Sequence, residues 1–311
     1  MELLSLYNDS DHHKRGRPYV YPTTVILRCF VVRIWMRIPS NNALHYYFST
    51  GTSRNTKMMR ACGLHSLPDR RTFDRRFKIL PVQNIIGIMG QIFLKEGIVE
   101  RNTAAADSAI MPCKKVWHKS DMKKGRIPVS GIDTDARWGF SKSKGWVFGY
   151  KLHMSCSTGK IAVPLTACVT AANVYDPQMY DVLVEPLAGL VSCVAADSIY
   201  SGAELYDSSQ NKGIVLICPI KRYRHTKGER LRRYHFFRSK KGQRIISKRG
   251  SIERLFDRVK DTFGISVIPV RRYVNVSSYM LMCVFVYQIS IYYNGIMGKT
   301  RPQCVKYMLG N

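Results

Sequence analysis

The distribution of apolar and polar positions divides the chain into a helical first third and a strand-rich middle. Residues 23–38, TTVILRCFVVRIWMRI, form an apolar run with arginines inserted, and 41–51, NNALHYYFSTG, open on capping asparagines and close on glycine. Residues 66–81, SLPDRRTFDRRFKILP, start with Pro-Asp, and the rest of the segment reads as a basic helix. From about residue 102 short apolar runs take over. NTAAADSAIM (102–111) reads as a buried strand ending at Asp107. GWVFGYKLHMSCSTGKIAVPLTACVT (145–170) reads as a hairpin turning at Ser-Thr-Gly-Lys, and ANVYDPQMYDVLVEPLAGL (172–190) as a helix with Pro177 in its first turn. VSCVAADSIYSG (191–202) is a second apolar strand running into Asp197. GIVLICPI (213–220) is a third, preceded by a helical SGAELYDSSQNK. Strands alternating with helices, with an early antiparallel hairpin, predict a mixed α/β sheet flanked by helices.

Charge narrows the function. The 311 residues carry 49 Lys+Arg against 21 Asp+Glu, a formal +28 with a pI near 9.9. Self-repulsion on that scale is tolerable when the working partner is a polyanion, and nucleic acid fits through counterion release. Residues 221–249 concentrate the effect, with 13 Lys/Arg, one acid, and Tyr223, Tyr234, Phe236 and Phe237 interleaved. That mixture suits phosphate pairing and base stacking. Arg70, Arg71, Arg75 and Arg76 form two adjacent pairs five residues apart, a basic flank expected to contact DNA.

Other classes fit less well. The nine cysteines are scattered with no CxxC pair, so a structural zinc site is not expected, and reduced thiols suit a cytoplasmic, nucleoid-associated protein. Residues 1–18, MELLSLYNDSDHHKRGRP, lack the layout of a signal peptide. Residues 273–298 carry no charge over 26 positions, but interspersed Asn, Ser and Gln argue for a buried C-terminal helix and no membrane partner.

Three carboxylates stand out. Asp107 and Asp197 each follow an apolar strand and each precede Ser. In RGSIERLFDRVKDTFG (249–264), Arg249, Glu253, Asp257 and Lys260 share one helical stripe, while Ile252, Phe256, Val259 and Phe263 share another suited to packing on a sheet. An acid at a strand end is costly unless paired, exposed in a cleft or bound to a cation. Three acids from two adjacent strands and a packed helix would repel one another without divalent ions. Hard oxygen donors of this kind suit two Mg²⁺ or Mn²⁺ ions and in-line phosphoryl transfer, with Arg249 and Lys260 gripping DNA phosphates. Lys151 and His153 are expected on opposite faces of their strand. Asp176 is expected to cap a helix, and Asp133 and Asp135 to serve a turn or strand edge.

These motifs resemble the DDE transposases of prokaryotic insertion sequences, in the group containing the insertion-sequence-4 and insertion-sequence-5 families. Their signature around the glutamate, Y-x2-R-x3-E-x6-K, is matched in spacing by Ile246, Arg249, Glu253 and Lys260, with Ile in place of Tyr. The second aspartate's D-x-G-Y context keeps Asp197 and Tyr200 but has Ile199 for Gly. AADSAI, FGYKLH (148–153), VTAANVYD (169–176) and LPDRRTFDRRF (67–77) are similar to other family segments.

The resemblance implies an RNase H-like catalytic domain over 101–298 behind a helical DNA-binding region over 1–100, with a tail over 299–311. It implies Asp107, Asp197 and Glu253 as catalytic, metal-holding acids, and DNA contacts that include Tyr200. It implies cleavage at terminal inverted repeats and strand transfer by a homodimer or larger assembly on double-stranded DNA. Only 55 residues separate Asp197 from Glu253, which argues against a large β-rich insertion. The competing readings are a non-catalytic or degenerate DNA-binding protein, and an RNase H-like nuclease without strand transfer.

Overall fold

The computed structural model describes residues 19–306, so the stretch inspected for a signal peptide lies outside it, as does the end of the tail. The chain divides into two compact units, residues 1–85 and 86–311.

The described part of the first unit is helical. Helix α1 spans Thr23–Trp35, α2 Asn41–Ser49, α3 Ser53–Ala61 and α4 Arg70–Ile79, and α5, Val82–Lys95, begins in this unit. Each of three starts is fixed by a side chain that satisfies an otherwise unpaired backbone N–H. Ser40 accepts from Ala43, Thr52 from Asn55, and Asp69 from Arg71. The core is aromatic. Phe30 lies with its ring centroid 4.7 Å from that of Phe77 and 6.0 Å from that of Phe73. Arg33 is buried in this core because its guanidinium donates to Asn41 Oδ1 and Pro39 O and lies over Phe77.

The second unit is built on a six-stranded mixed sheet. Its strands are β1 Thr103–Pro112, β2 Arg137–Ser141, β3 Gly145–Ser157, β4 Pro164–Ala171, β5 Cys193–Ala195 and β6 Val215–Ile217. Strand β3 is the spine. Antiparallel β1 runs along one side of it, while β4 and β2 share the other side end to end. Strands β5 and β6 then extend the sheet beyond β1 in parallel. Four antiparallel strands continued by two parallel ones, with helices around them, make the expected mixed α/β sheet flanked by helices.

Small residues allow the central strands to approach. Ala104, Ala105 and Ala106 are fully buried, as suits a strand covered on both faces. Gly149 has no room for a side chain, since a Cβ there would lie 2.1 Å from Met111 O.

The helices of this unit are α6 (Lys119–Lys123), α7 (Tyr180–Val184), α8 (Ala203–Asn211), α9 (Gly228–Arg238), α10 (Lys240–Ser247), α11 (Gly250–Phe263) and α12 (Tyr273–Ile296). The segment expected as one helix over 172–190 is instead a 3₁₀ turn at Asp176–Met179, short α7, and a second 3₁₀ turn at Glu185–Leu187, because Pro177 and Pro186 interrupt it. Helix α12 is long and apolar enough to cross a membrane, yet most of it is buried inside the protein. Its Gln288 is wholly buried and donates to Ile86 O and Pro164 O.

Candidate active site

Strand β1 does not end at Asp107, as its sequence suggests, but runs on to Pro112. Pairing with β3 continues along that whole stretch, where Asp107 faces Met154, whereas pairing with β5 stops at Ala105–Ala195. Asp107 therefore has an unpaired flank on the β5 side. Asp197 lies two residues past Ala195, as Asp107 lies two past Ala105, so the parallel register brings the two acids level beyond the end of the β1–β5 ladder. Asp197 caps the 3₁₀ turn Ser198–Tyr200, its Oδ1 accepting from Ile199 N at 2.6 Å.

The third acid comes from α11. This helix buries Ile252, Leu255, Phe256, Val259 and Phe263 and leaves Glu253 exposed, the division the two stripes predict. Arg249, its N-cap residue, bridges two of the acids. Nη1 donates to Asp107 Oδ2 at 2.9 Å and Nη2 to Glu253 Oε1 at 2.5 Å. Among the described residues, no three His, Cys, Asp or Glu side chains group closely enough to hold a metal ion, and the Arg249 guanidinium stands between Asp107 and Glu253.

Burial dominates the electrostatics of Asp107. Burial pushes the Asp107 carboxyl up to about 6; the Ser108 N–H and Arg249 oppose this, and the charges of Asp197 and Asp176 reinforce it.

Asp176 is the site residue that sequence reasoning missed. It is not a helix cap. Its Oδ1 accepts from Lys151 Nζ at 2.7 Å and lies 3.8 Å from His153 Nδ1. Lys151 also donates to Val174 O, and His153 Nε2 lies 2.8 Å from Thr170 Oγ1. Lys151 and His153 share a face of β3, because side chains two apart on a strand point the same way, and both are buried. Burial lowers the His153 imidazole to about 4; Asp176 opposes the fall and Lys151 adds to it. The available signal was the period of two within YKLH.

Several expected DNA contacts lie elsewhere. Tyr200 is wholly buried, with its hydroxyl unpartnered and its ring 5.9 Å from that of Tyr180, so it cannot reach a duplex from this position. Arg76 is buried too. Its guanidinium lies 3.6 Å from the Tyr19 ring centroid and donates to Thr23 Oγ1, leaving Arg70, Arg71 and Arg75 as the exposed part of that flank. Lys260 is half-buried, 3.8 Å from Asp257, and burial lowers its ammonium.

The stretch 221–249 contains α9 and α10. Phe236, Phe237 and Ile246 pack against Ala195, Ile217 and Ile245, so these two phenylalanines are core residues and not free stacking platforms. Tyr223 remains exposed. The isoleucine found where the family signature has Tyr belongs to that same apolar cluster.

No curated protein matches this chain. Among solved structures, the chain is similar to the piggyBac transposase synaptic complex with hairpin DNA, at 11% identity and a TM-score of 0.42, over 99% of this chain and 77% of the other. The family model described as "Transposase DDE domain" matches residues 114–289, a span that includes Asp197 and Glu253 and begins just after Asp107. With more than half of its length matched, the chain belongs to the transposase DDE domain family.

Proposed function

We propose that the protein is a transposase of the insertion-sequence-4/insertion-sequence-5 group that binds the terminal inverted repeats of its element, cuts there and joins the freed 3′-hydroxyl to target DNA. Asp107, Asp197 and Glu253 are the catalytic acids of this reading. The observation that carries it is the bridge from Asp107 through Arg249 to Glu253, in which Arg249 reaches an acid 142 residues earlier in the sequence.

The donor chemistry of the three acids suits Mg²⁺ or Mn²⁺, while their present spacing, with Arg249 between two of them, is too wide for a shared ion. All three side chains offer hard carboxylate oxygens, and Asp107 is held where burial and neighbouring acids disfavour its charge. A nearby cation removes that penalty, and Arg249 fills the part between two of the acids. When bound, divalent ions polarise the phosphodiester and make water or a 3′-hydroxyl nucleophilic near neutral pH.

The chain's own residues supply the rest. Arg249 can exchange carboxylates for a DNA phosphate, its planar fork suiting either partner. Exposed cations of α9 and α10, with Arg70, Arg71 and Arg75 of α4, hold the duplex by phosphate neutralisation. Joining two ends calls for a homodimer or larger assembly on DNA. The nine cysteines, none of them joined in a disulfide, suit action in a reducing cytoplasm near the nucleoid.

The test is cleavage of supercoiled DNA carrying the cognate ends, with Mg²⁺ or Mn²⁺. Glu253→Gln is expected to abolish cutting while DNA binding persists. Equal cutting by that variant removes Glu253 from the chemistry. Cutting without joined products leaves a nuclease, and binding without any cutting by the native protein leaves a DNA-binding protein alone.

A further inference from the structure

Away from the acids, three loops of the second unit converge on a cavity of about 470 Å³. Its walls include Lys114 and Lys115 after β1, Ser130 and Gly131 before β2, and Arg271 before α12. A Cβ on Gly131 would lie 2.9 Å from Arg271 Nη1 and 3.4 Å from Lys115 Nζ, so both cations rest against one point of backbone that only glycine leaves open. Gly131 also has φ +85°, which glycine adopts without strain. Lys115 is steadied by a 2.6 Å hydrogen bond to Ser130 O.

The turn that brings Arg271 there is strained and clamped. Arg272 has φ +74°, a left-handed conformation that is costly for any side-chain-bearing residue. It is held by Asp133, which is buried and accepts through Oδ2 from Arg272 N at 2.9 Å and Tyr150 Oη at 3.0 Å, and through Oδ1 from Asp135 N. Asp135 takes the next rung, accepting from Tyr273 N, and Arg272 Nη1 donates to Thr134 Oγ1. The acid in the cavity wall is thus committed to the turn. Among the described residues, neither Lys115 nor Arg271 has an ion-pair partner. Strain fixed by several independent bonds marks a place where position matters, and what is positioned here is a pair of like charges around a gap.

We propose that Lys115 and Arg271, set against Gly131 and held by the Asp133-clamped turn, form a cradle for one phosphate of the DNA backbone. It rests on the DNA-binding reading above and adds a subsite to it. Cys113, in the cavity wall, is six residues beyond Asp107 along the same extended chain, which sets that wall about 20 Å from Asp107. A phosphate at that distance belongs to flanking duplex and not to the bond being cut. Two cations from different loops also explain the cavity better than a loose basic surface does, because each could otherwise extend separately into water.

The experiment is a salt titration of DNA binding, with the full-length protein, a labelled duplex and EDTA to exclude catalysis. Each phosphate neutralised contributes about 0.9 to the slope of log K against log salt. Lys115→Ala/Arg271→Ala is expected to lower that slope by about 1, because the two cations share one phosphate, and to weaken binding several-fold at 0.15 M salt. An unchanged slope overturns the cradle, and a loss near 2 overturns the shared phosphate. Asp133→Asn is the second variant. It adds net positive charge yet is expected to lose the same slope, since the turn no longer aims Arg271; tighter binding by this variant overturns the role of the clamp. Inorganic phosphate at fixed ionic strength supplies the other arm. If it stabilises the native protein but not the double variant, while the DNA slopes agree, the occupant is free phosphate and the DNA assignment fails. Absence of salt-dependent DNA binding by the native protein would instead remove the DNA-binding reading itself.

Discussion

Arg249 donates to Asp107 Oδ2 at 2.9 Å, joining the start of α11 to the middle of β1. The same guanidinium also holds Glu253, so it is the chief positive charge beside a cluster of acids. Arg249→Ala is expected to lower the melting temperature at pH 7.5 by a few degrees, corresponding to about 1 kcal/mol for a half-exposed pair. Adding Mg²⁺ is expected to restore much of that loss. Thermal unfolding with and without Mg²⁺ checks this, and an equal loss in both conditions would assign Arg249 to packing instead.

The pair Lys151–Asp176 is mostly buried, so removing one partner strands the other's charge. Asp176→Asn is expected to destabilise by roughly 3 kcal/mol. Lys151→Met/Asp176→Leu is expected to recover part of this by removing both charges. Urea denaturation of the single and double variants gives the comparison, and strictly additive losses would refute the coupling.

His153 supplies a pH dependence. Burial holds its folded-state value at about 4, below the ordinary 6.5, so the unfolded chain binds a proton first. The resulting stability is fully present above pH 6.5 and is lost as pH falls towards 4. The loss amounts to about 3 kcal/mol, at about 1.4 kcal/mol per pH unit. Denaturant midpoints measured between pH 4 and 6.5 should show that decline, and His153→Gln should flatten it.

Gly149 tests the sheet. Because a Cβ would meet Met111 O at 2.1 Å, Gly149→Ala is expected to force β1 and β3 apart and cost roughly 1–3 kcal/mol or more. Since the same two strands carry Asp107 and Lys151, DNA cleavage should fall more steeply than DNA binding.

Much of the site was legible because its signals are local. Asp107 and Asp197 follow apolar runs, and Arg249 and Glu253 lie one helical turn apart. Strand ends were less legible. The apolar run from Val191 reads as a strand up to Asp197, yet only Cys193–Ala195 pair, because the chain turns into a 3₁₀ cap at Asp197. Strand β2 escaped notice because its five residues follow a loop rich in Gly and Asp and gain their pairing only from distant β3. Asp176 was hidden for a similar reason, as its partner Lys151 lies 25 residues earlier and meets it only after folding. Burial of Tyr200 and Arg76 depends on tertiary neighbours that no local pattern reveals.

The brevity of β5 has a consequence for engineering and for natural variation. Were its ladder with β1 to grow by two residues, Asp197 would become one more rung of pleated backbone and its 3₁₀ cap would be lost. Substitutions that merely favour extended conformation at Ala196 or Ser198 could then silence the protein with every acid still in its sequence. Where pairing stops matters here as much as which residues pair.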